Sequence, residues 1–125
     1  MNLLLDTHCF LWWIDNDPRL NTAARAQIQN PKILVFVSTV TAWEISIKSS
    51  LGKLRAPNDY EAELEIHRLQ ALPILNSHAL AVRHLPLHHQ DLFDRLLVAQ
   101  AQLERLTLVT HDERIKLYGV STLMT

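Results

Sequence analysis

The chain has 125 residues, 48% hydrophobic and 20% charged, with only 2 glycines and 5 prolines; this composition suits one globular domain with one core and excludes disorder and long flexible linkers. Twelve Lys and Arg stand against thirteen Asp and Glu, a formal net charge of −1, so no bulk attraction to polyanions is expected, and a polyanionic substrate would need a local patch or metal ions. No apolar run reaches the roughly 20 residues of a membrane span, the apolar start is interrupted by Asp6 and carries no basic leader, and the single Cys9 excludes an internal disulfide; no membrane association is expected, and the cytoplasm is the expected compartment.

Short apolar stretches alternate with helical patterns along residues 1–125. Strands are expected at 2–5, 33–37, 73–75, 107–110 and 120–123, with helices between them. Asn21 can cap a helix that runs to Gln29, and Asn30-Pro31 can stop it. Val40, Trp43, Ile47 and Leu51 form a helical stripe that Gly52 can end. Residues 58–70 place acids early and His67 and Arg68 late, as a helix dipole favours. A short helix is expected over 77–83, and a longer one over 91–105 with Leu92, Leu96, Ala99, Leu103 and Leu106 on one face. Repeated strand–helix–strand units imply an α/β fold in three layers, with a mostly parallel five-stranded sheet between helices.

Sites in open parallel sheets form beyond the carboxyl ends of the strands. Asp6 follows the first expected strand and Asp112 the fourth. Glu44 lies one turn into the helix after the second strand, and Asp94 in the first turn of the 91–105 helix. Helical side chains lean toward their own N-terminus, which carries Glu44 toward Ser38 and Thr39 and brings all four carboxylates to one end of the sheet. Each acid also has an ordinary reading: Asp6 and Asp112 as helix caps, Glu44–Lys48 and Asp91–Arg95 as i,i+4 pairs, Asp94 as a dipole partner. Four converging carboxylates are tolerable only if protonated or if they hold cations. Hard oxygen donors suit Mg²⁺ or Mn²⁺, and ions so held suit phosphodiester hydrolysis.

Three segments, LLLDTHCFLWW, STVTAWEISIKSSLGKL and HHQDLFDRLLVAQAQLERLTLVTHDERIKLYGV, together resemble the PIN-domain ribonucleases, and among them the VapC-type toxins of bacterial toxin–antitoxin pairs. The resemblance covers nearly the whole chain. It implies a single PIN domain, Mg²⁺- or Mn²⁺-dependent endoribonuclease activity, a cognate antitoxin and, as in many relatives, a homodimer. It carries catalytic and metal-binding roles to Asp6, Glu44, Asp94 and Asp112, with Asp91 as a helper and Thr110 as the small polar residue before the last acid. Thr7, Ser38 and Arg95 are expected to support these acids, and Lys48, Lys53 and Arg55 to line a path for RNA phosphates. Two positions depart from the pattern. Leu92 stands where relatives usually have the proline that fixes the first helical turn, and His111 stands where an arginine is common.

His78, His84, His88 and His89 are expected to be surface or loop residues rather than a zinc site. Trp12, Trp13 and Trp43 are expected in the core or an interface, with base stacking as the alternative. Cys9 is expected to be a buried apolar residue. The apolar run Phe10 to Ile14, with residues 43–54, is the expected antitoxin-docking surface. Two other functions stay open on sequence alone. One is phosphoryl transfer on a strand-end aspartate, although Asp6-Thr7-His8 lacks the DxD pattern. The other is a binding module with a degenerate acidic cluster.

Overall fold

The computed structural model describes residues 1–125. Five strands form one sheet: β1 (Leu3–Leu5), β2 (Val35–Ser38), β3 (Gln70–Leu72), β4 (Thr107–Thr110) and β5 (Thr122–Met124). Their order is β3-β2-β1-β4-β5, and every pairing is parallel. The helices are α1 (Thr7–Ile14), α2 (Thr22–Gln29), α3 (Thr39–Ser50), α4 (Tyr60–Ile66), α5 (Asn76–Ala81) and α6 (Leu92–Glu104), with 3-10 turns at Val82–His84 and Glu113–Tyr118.

The pleat of β1 divides the core. Leu3 and Leu5 pack with Phe10, Leu20, Ala24, Ile28 and Leu64, which come from α1, α2, α4 and the loop before α2. Leu4 points the other way, toward Leu97, Ala101, Ile115 and Tyr118. A strand buried on both faces is apolar at every position rather than alternating, and Leu3, Leu4 and Leu5 are all fully buried. This gives the expected three-layer α/β fold, with a sheet that is wholly parallel.

Capping follows the sequence at α2, where the Asn21 side chain accepts from the Ala24 N–H at 2.9 Å. The third strand lies at 70–72 rather than 73–75, because the preceding helix stops at Ile66 and Arg68 turns left-handed, with φ of 55°. Pro73, which has no N–H to give a ladder, then follows the strand. The apolar stripes also differ from expectation. On α3, Trp43, Ile47 and Leu51 are exposed, whereas Val40, Thr41, Glu44 and Ile45 are buried. On α6, Leu92 and Leu103 are exposed, while residues 96–101 are all buried, because that stretch is enclosed by more than one neighbouring element.

Candidate acidic active site

Parallel strands send all their carboxyl ends to one side, and the acids gather there around a cleft of about 610 Å³. Asp6 leaves β1 as the N-cap of α1, its Oδ1 accepting from the Cys9 N–H at 2.8 Å. The next residue, Thr7, donates its hydroxyl to Glu44 Oε1 at 2.6 Å. Thr7 and Glu44 are both buried, so the second acid is anchored to the end of β1 and not to β2. Lys48, one turn along α3, pairs with the other Glu44 oxygen.

On the far wall, Asp91 caps α6 by accepting from the N–H groups of Phe93 at 2.9 Å and Asp94 at 3.0 Å. It does so with Leu92 as the first helical residue, so the absent proline does not undo the cap. Asp112 leaves β4 through Thr110, whose Oγ1 accepts the Asp112 N–H at 3.1 Å. Arg114 grips Asp112 with two side-chain contacts, Nε at 3.0 Å and Nη2 at 2.8 Å.

The electrostatics separate the acids. Asp94 is pushed up to about 8, first by burial and then by the charges of Asp91, Asp6, Glu44 and Asp112. That list of neighbours itself says the carboxylates feel one another. Burial also raises Asp6, against the opposing hydrogen bonds from Cys9 and Thr110. Asp112 runs the other way, held well below the usual carboxylate range chiefly by its hydrogen bond from Arg114. An all-oxygen, carboxylate-rich donor set in which burial opposes the ionisation of both Asp6 and Asp94 fits a hard divalent cation. Asp6, Glu44, Asp94 and Asp112 offer such donors, with Asp91 beside them.

Several expected partners lie elsewhere. Ser38 faces away from the acids: its hydroxyl donates to Gln100 Oε1 at 2.6 Å and caps α3 through the Val40 N–H. Arg95 makes no ion pair with Asp91. Its guanidinium instead donates to the carbonyls of Val82, Leu85, Pro86 and His89. Of the expected basic path, Lys48 borders the acidic cleft, whereas Arg55 lines a separate depression with Asp15 and Glu63. Lys53 lines neither. Two cations that the sequence did not single out, Arg19 and Arg114, border the cleft instead. Arg19 lies over the Trp12 ring, 4.9 Å from its centroid.

Of the histidines expected on the surface or in loops, His78 is buried on α5, and His89 lies in a loop but is buried. His78 is engaged by Leu75, Gln100 and Glu104. His89 Nε2 lies 2.8 Å from Asp112 Oδ2 and 3.0 Å from Asp94 Oδ2. His111 borders the cleft, with Nδ1 2.7 Å from the Thr125 carbonyl. Cys9 is fully buried, as expected. Phe10, Leu11 and Trp12 are buried as well, which removes most of the 10–14 run as a docking surface. Trp43 stays exposed and meets the Phe93 ring edge-on at 4.8 Å.

The fold has known counterparts. A VapBC2 complex from Rickettsia felis, bound to a DNA fragment from its promoter, aligns with 99% of this chain and 98% of its own at 17% identity and a TM-score of 0.72. VapBC-1 from nontypeable Haemophilus influenzae aligns over 99% and 98% at 20% identity with a TM-score of 0.62. VapBC-5 from Mycobacterium tuberculosis aligns over all of both chains at 18% identity with a TM-score of 0.62. No curated protein matches the sequence significantly. The PIN domain model matches residues 3–120, and with acids gathered at the carboxyl end of a five-stranded parallel sheet, the chain belongs to the PIN-domain family.

Proposed function

We propose that the protein is a VapC-type toxin, a Mg²⁺- or Mn²⁺-dependent endoribonuclease silenced by a cognate antitoxin. The observation that carries this reading is the convergence of Asp6, Glu44, Asp94 and Asp112 on one cleft, felt electrostatically by Asp94. The kinship with VapBC complexes supports the antitoxin. A bound divalent cation would activate water and steady the leaving oxygen of a phosphodiester.

The chain's own residues do the rest. Thr7 and Lys48 hold Glu44 in place, the α1 N-terminus and Thr110 hold Asp6, and Arg114 holds Asp112 ionised. Lys48, Arg19 and Arg114 border the cleft where RNA phosphates would lie. No helix is long and apolar enough to cross a membrane, and action in the cytoplasm on RNA follows from the reading. A homodimer is expected from the same kinship.

Purified protein should cut single-stranded RNA with Mg²⁺ or Mn²⁺, leave 5′-phosphate and 3′-hydroxyl ends, and stop in EDTA. Cleavage that persists in EDTA, or ends bearing a 2′,3′-cyclic phosphate, would rule the reading out. Metal binding without cleavage of any RNA would favour a degenerate binding module.

A further inference from the structure

We propose that His89 is a positioning residue: as a hydrogen-bond donor, and not as a ligand, it holds the Asp94 and Asp112 carboxylates together for a divalent cation. This rests on the reading of those acids as metal ligands.

The argument begins with the tautomer. The Asp91 N–H points at His89 Nδ1 at 3.1 Å, so that nitrogen is an acceptor and carries no proton. The ring's proton therefore sits on Nε2. That N–H hydrogen-bonds Asp112 Oδ2 at 2.8 Å, and the same Nε2 lies 3.0 Å from Asp94 Oδ2. His89, Asp94 and Asp112 each offer an atom within 4.8 Å of the others, which in outline resembles a mixed His–carboxylate metal site. The tautomer argues otherwise. A ligating Nε2 needs its lone pair free and its proton on Nδ1, where the Asp91 N–H already points.

The ring is also fixed in place. It is only 5% exposed. Arg95 bonds to the carbonyls of Val82, Leu85, Pro86 and His89 and to the Tyr118 hydroxyl, and Tyr118 in turn donates to the His89 carbonyl. Arg95 follows Asp94 directly on α6, so the helix that carries one acid also anchors the loop that carries the donor. Asp94 and Asp112 come from different elements and repel each other. The His89 Nε2 side bridges them, bonded to Asp112 and in close contact with Asp94. Outer partners of this kind orient ligating carboxylates and raise affinity for the ion.

Two substitutions separate the roles of the two nitrogens. His89→Asn keeps an acceptor near the Asp91 N–H but is too short to reach the acids. His89→Gln carries an N–H out to the Nε2 position. Mn²⁺ binding to the full-length protein is followed by the loss of the free-ion electron paramagnetic resonance signal, with pulsed spectra recorded for directly bound nitrogen. His89→Asn should weaken Mn²⁺ binding about 10- to 100-fold, His89→Gln should stay within about threefold of wild type, and wild type should show no directly bound ¹⁴N. Equal affinity in wild type and His89→Asn, equal losses in both variants, or a bound-nitrogen signal each overturn the proposal while leaving the acidic site intact. If wild type itself binds no Mn²⁺ that Asp6→Asn abolishes, the reading of the acids as ligands falls, and the role of His89 with it.

Discussion

Replacing Asp94 with Asn should stabilise the metal-free protein near neutral pH, although it removes an acid from the proposed active site. The Asp94 carboxyl is raised from 3.8 to about 8. A raised carboxylate pKa means the native state is favoured fully at low pH and loses stability as pH climbs from the unfolded value toward the folded one. Each pH unit across that window is about 1.4 kcal/mol, so the limit near pH 7.5 is about 5 kcal/mol. The side chain is 24% exposed, so solvent screening brings that limit down to about 2 kcal/mol. At that pH a carboxyl titrating near 8 is mostly neutral, so Asn forfeits only part of the charge–dipole interaction at the α6 N-terminus, which is about 0.3–1 kcal/mol for a full charge. The net gain of about 1–2 kcal/mol corresponds to a Tm roughly 5 °C above wild type for a domain of this size. Thermal melts in EDTA at about pH 7.5 and about pH 4 test it, because in acid both side chains are neutral and the gap should close. A variant that melts lower than wild type at the higher pH, or a gap that ignores pH, would show that Asp94 is an ordinary helix residue.

Asp6→Asn should cost orders of magnitude in RNA cleavage, whereas Asp15→Asn and Glu63→Gln, which line a separate depression, should be near neutral; equal losses in both sets would remove the site assignment. Thr7→Val deletes the hydroxyl that donates to buried Glu44 at 2.6 Å, and urea unfolding should show a loss of about 1–3 kcal/mol from the carboxylate left short of a partner. Since Asp94 titrates near 8 and a cation needs it ionised, Mg²⁺ binding at about pH 7 should release the Asp94 proton. Calorimetry in buffers of different ionisation enthalpy measures the protons released, a number that should be smaller in Asp94→Asn than in wild type.

The parts of the site legible in the sequence are those set by strand ends. Asp6 and Asp112 stand just past apolar strands, and parallel order alone sends them to one side. Asp94 was legible from its place in the first turn of α6. Ser38 was misread by ignoring strand parity. Val35 and Val37 belong to the core on the α1 side, and Phe36 packs toward α6. Ser38 must therefore share the face of Phe36, and it meets Gln100 of α6. Thr7, directly after the strand-end Asp6, instead starts α1 and gives its hydroxyl to Glu44.

His89 was not legible, for a different reason. Its placement depends on the path of residues 82–90, which no periodicity governs. Arg95 fixes that path through carbonyl contacts that any side chains in the loop would present alike. The same arginine, an i,i+4 ion-pair partner of Asp91 by sequence, has its charge drawn instead to loop carbonyls and the Tyr118 hydroxyl. Asp91 is then left to cap α6, and its own N–H to set the His89 tautomer. The acids of the cleft are thus specified by strand and helix geometry, but their relative spacing is specified by a loop, and a loop's course is written in backbone contacts rather than in the order of its residues.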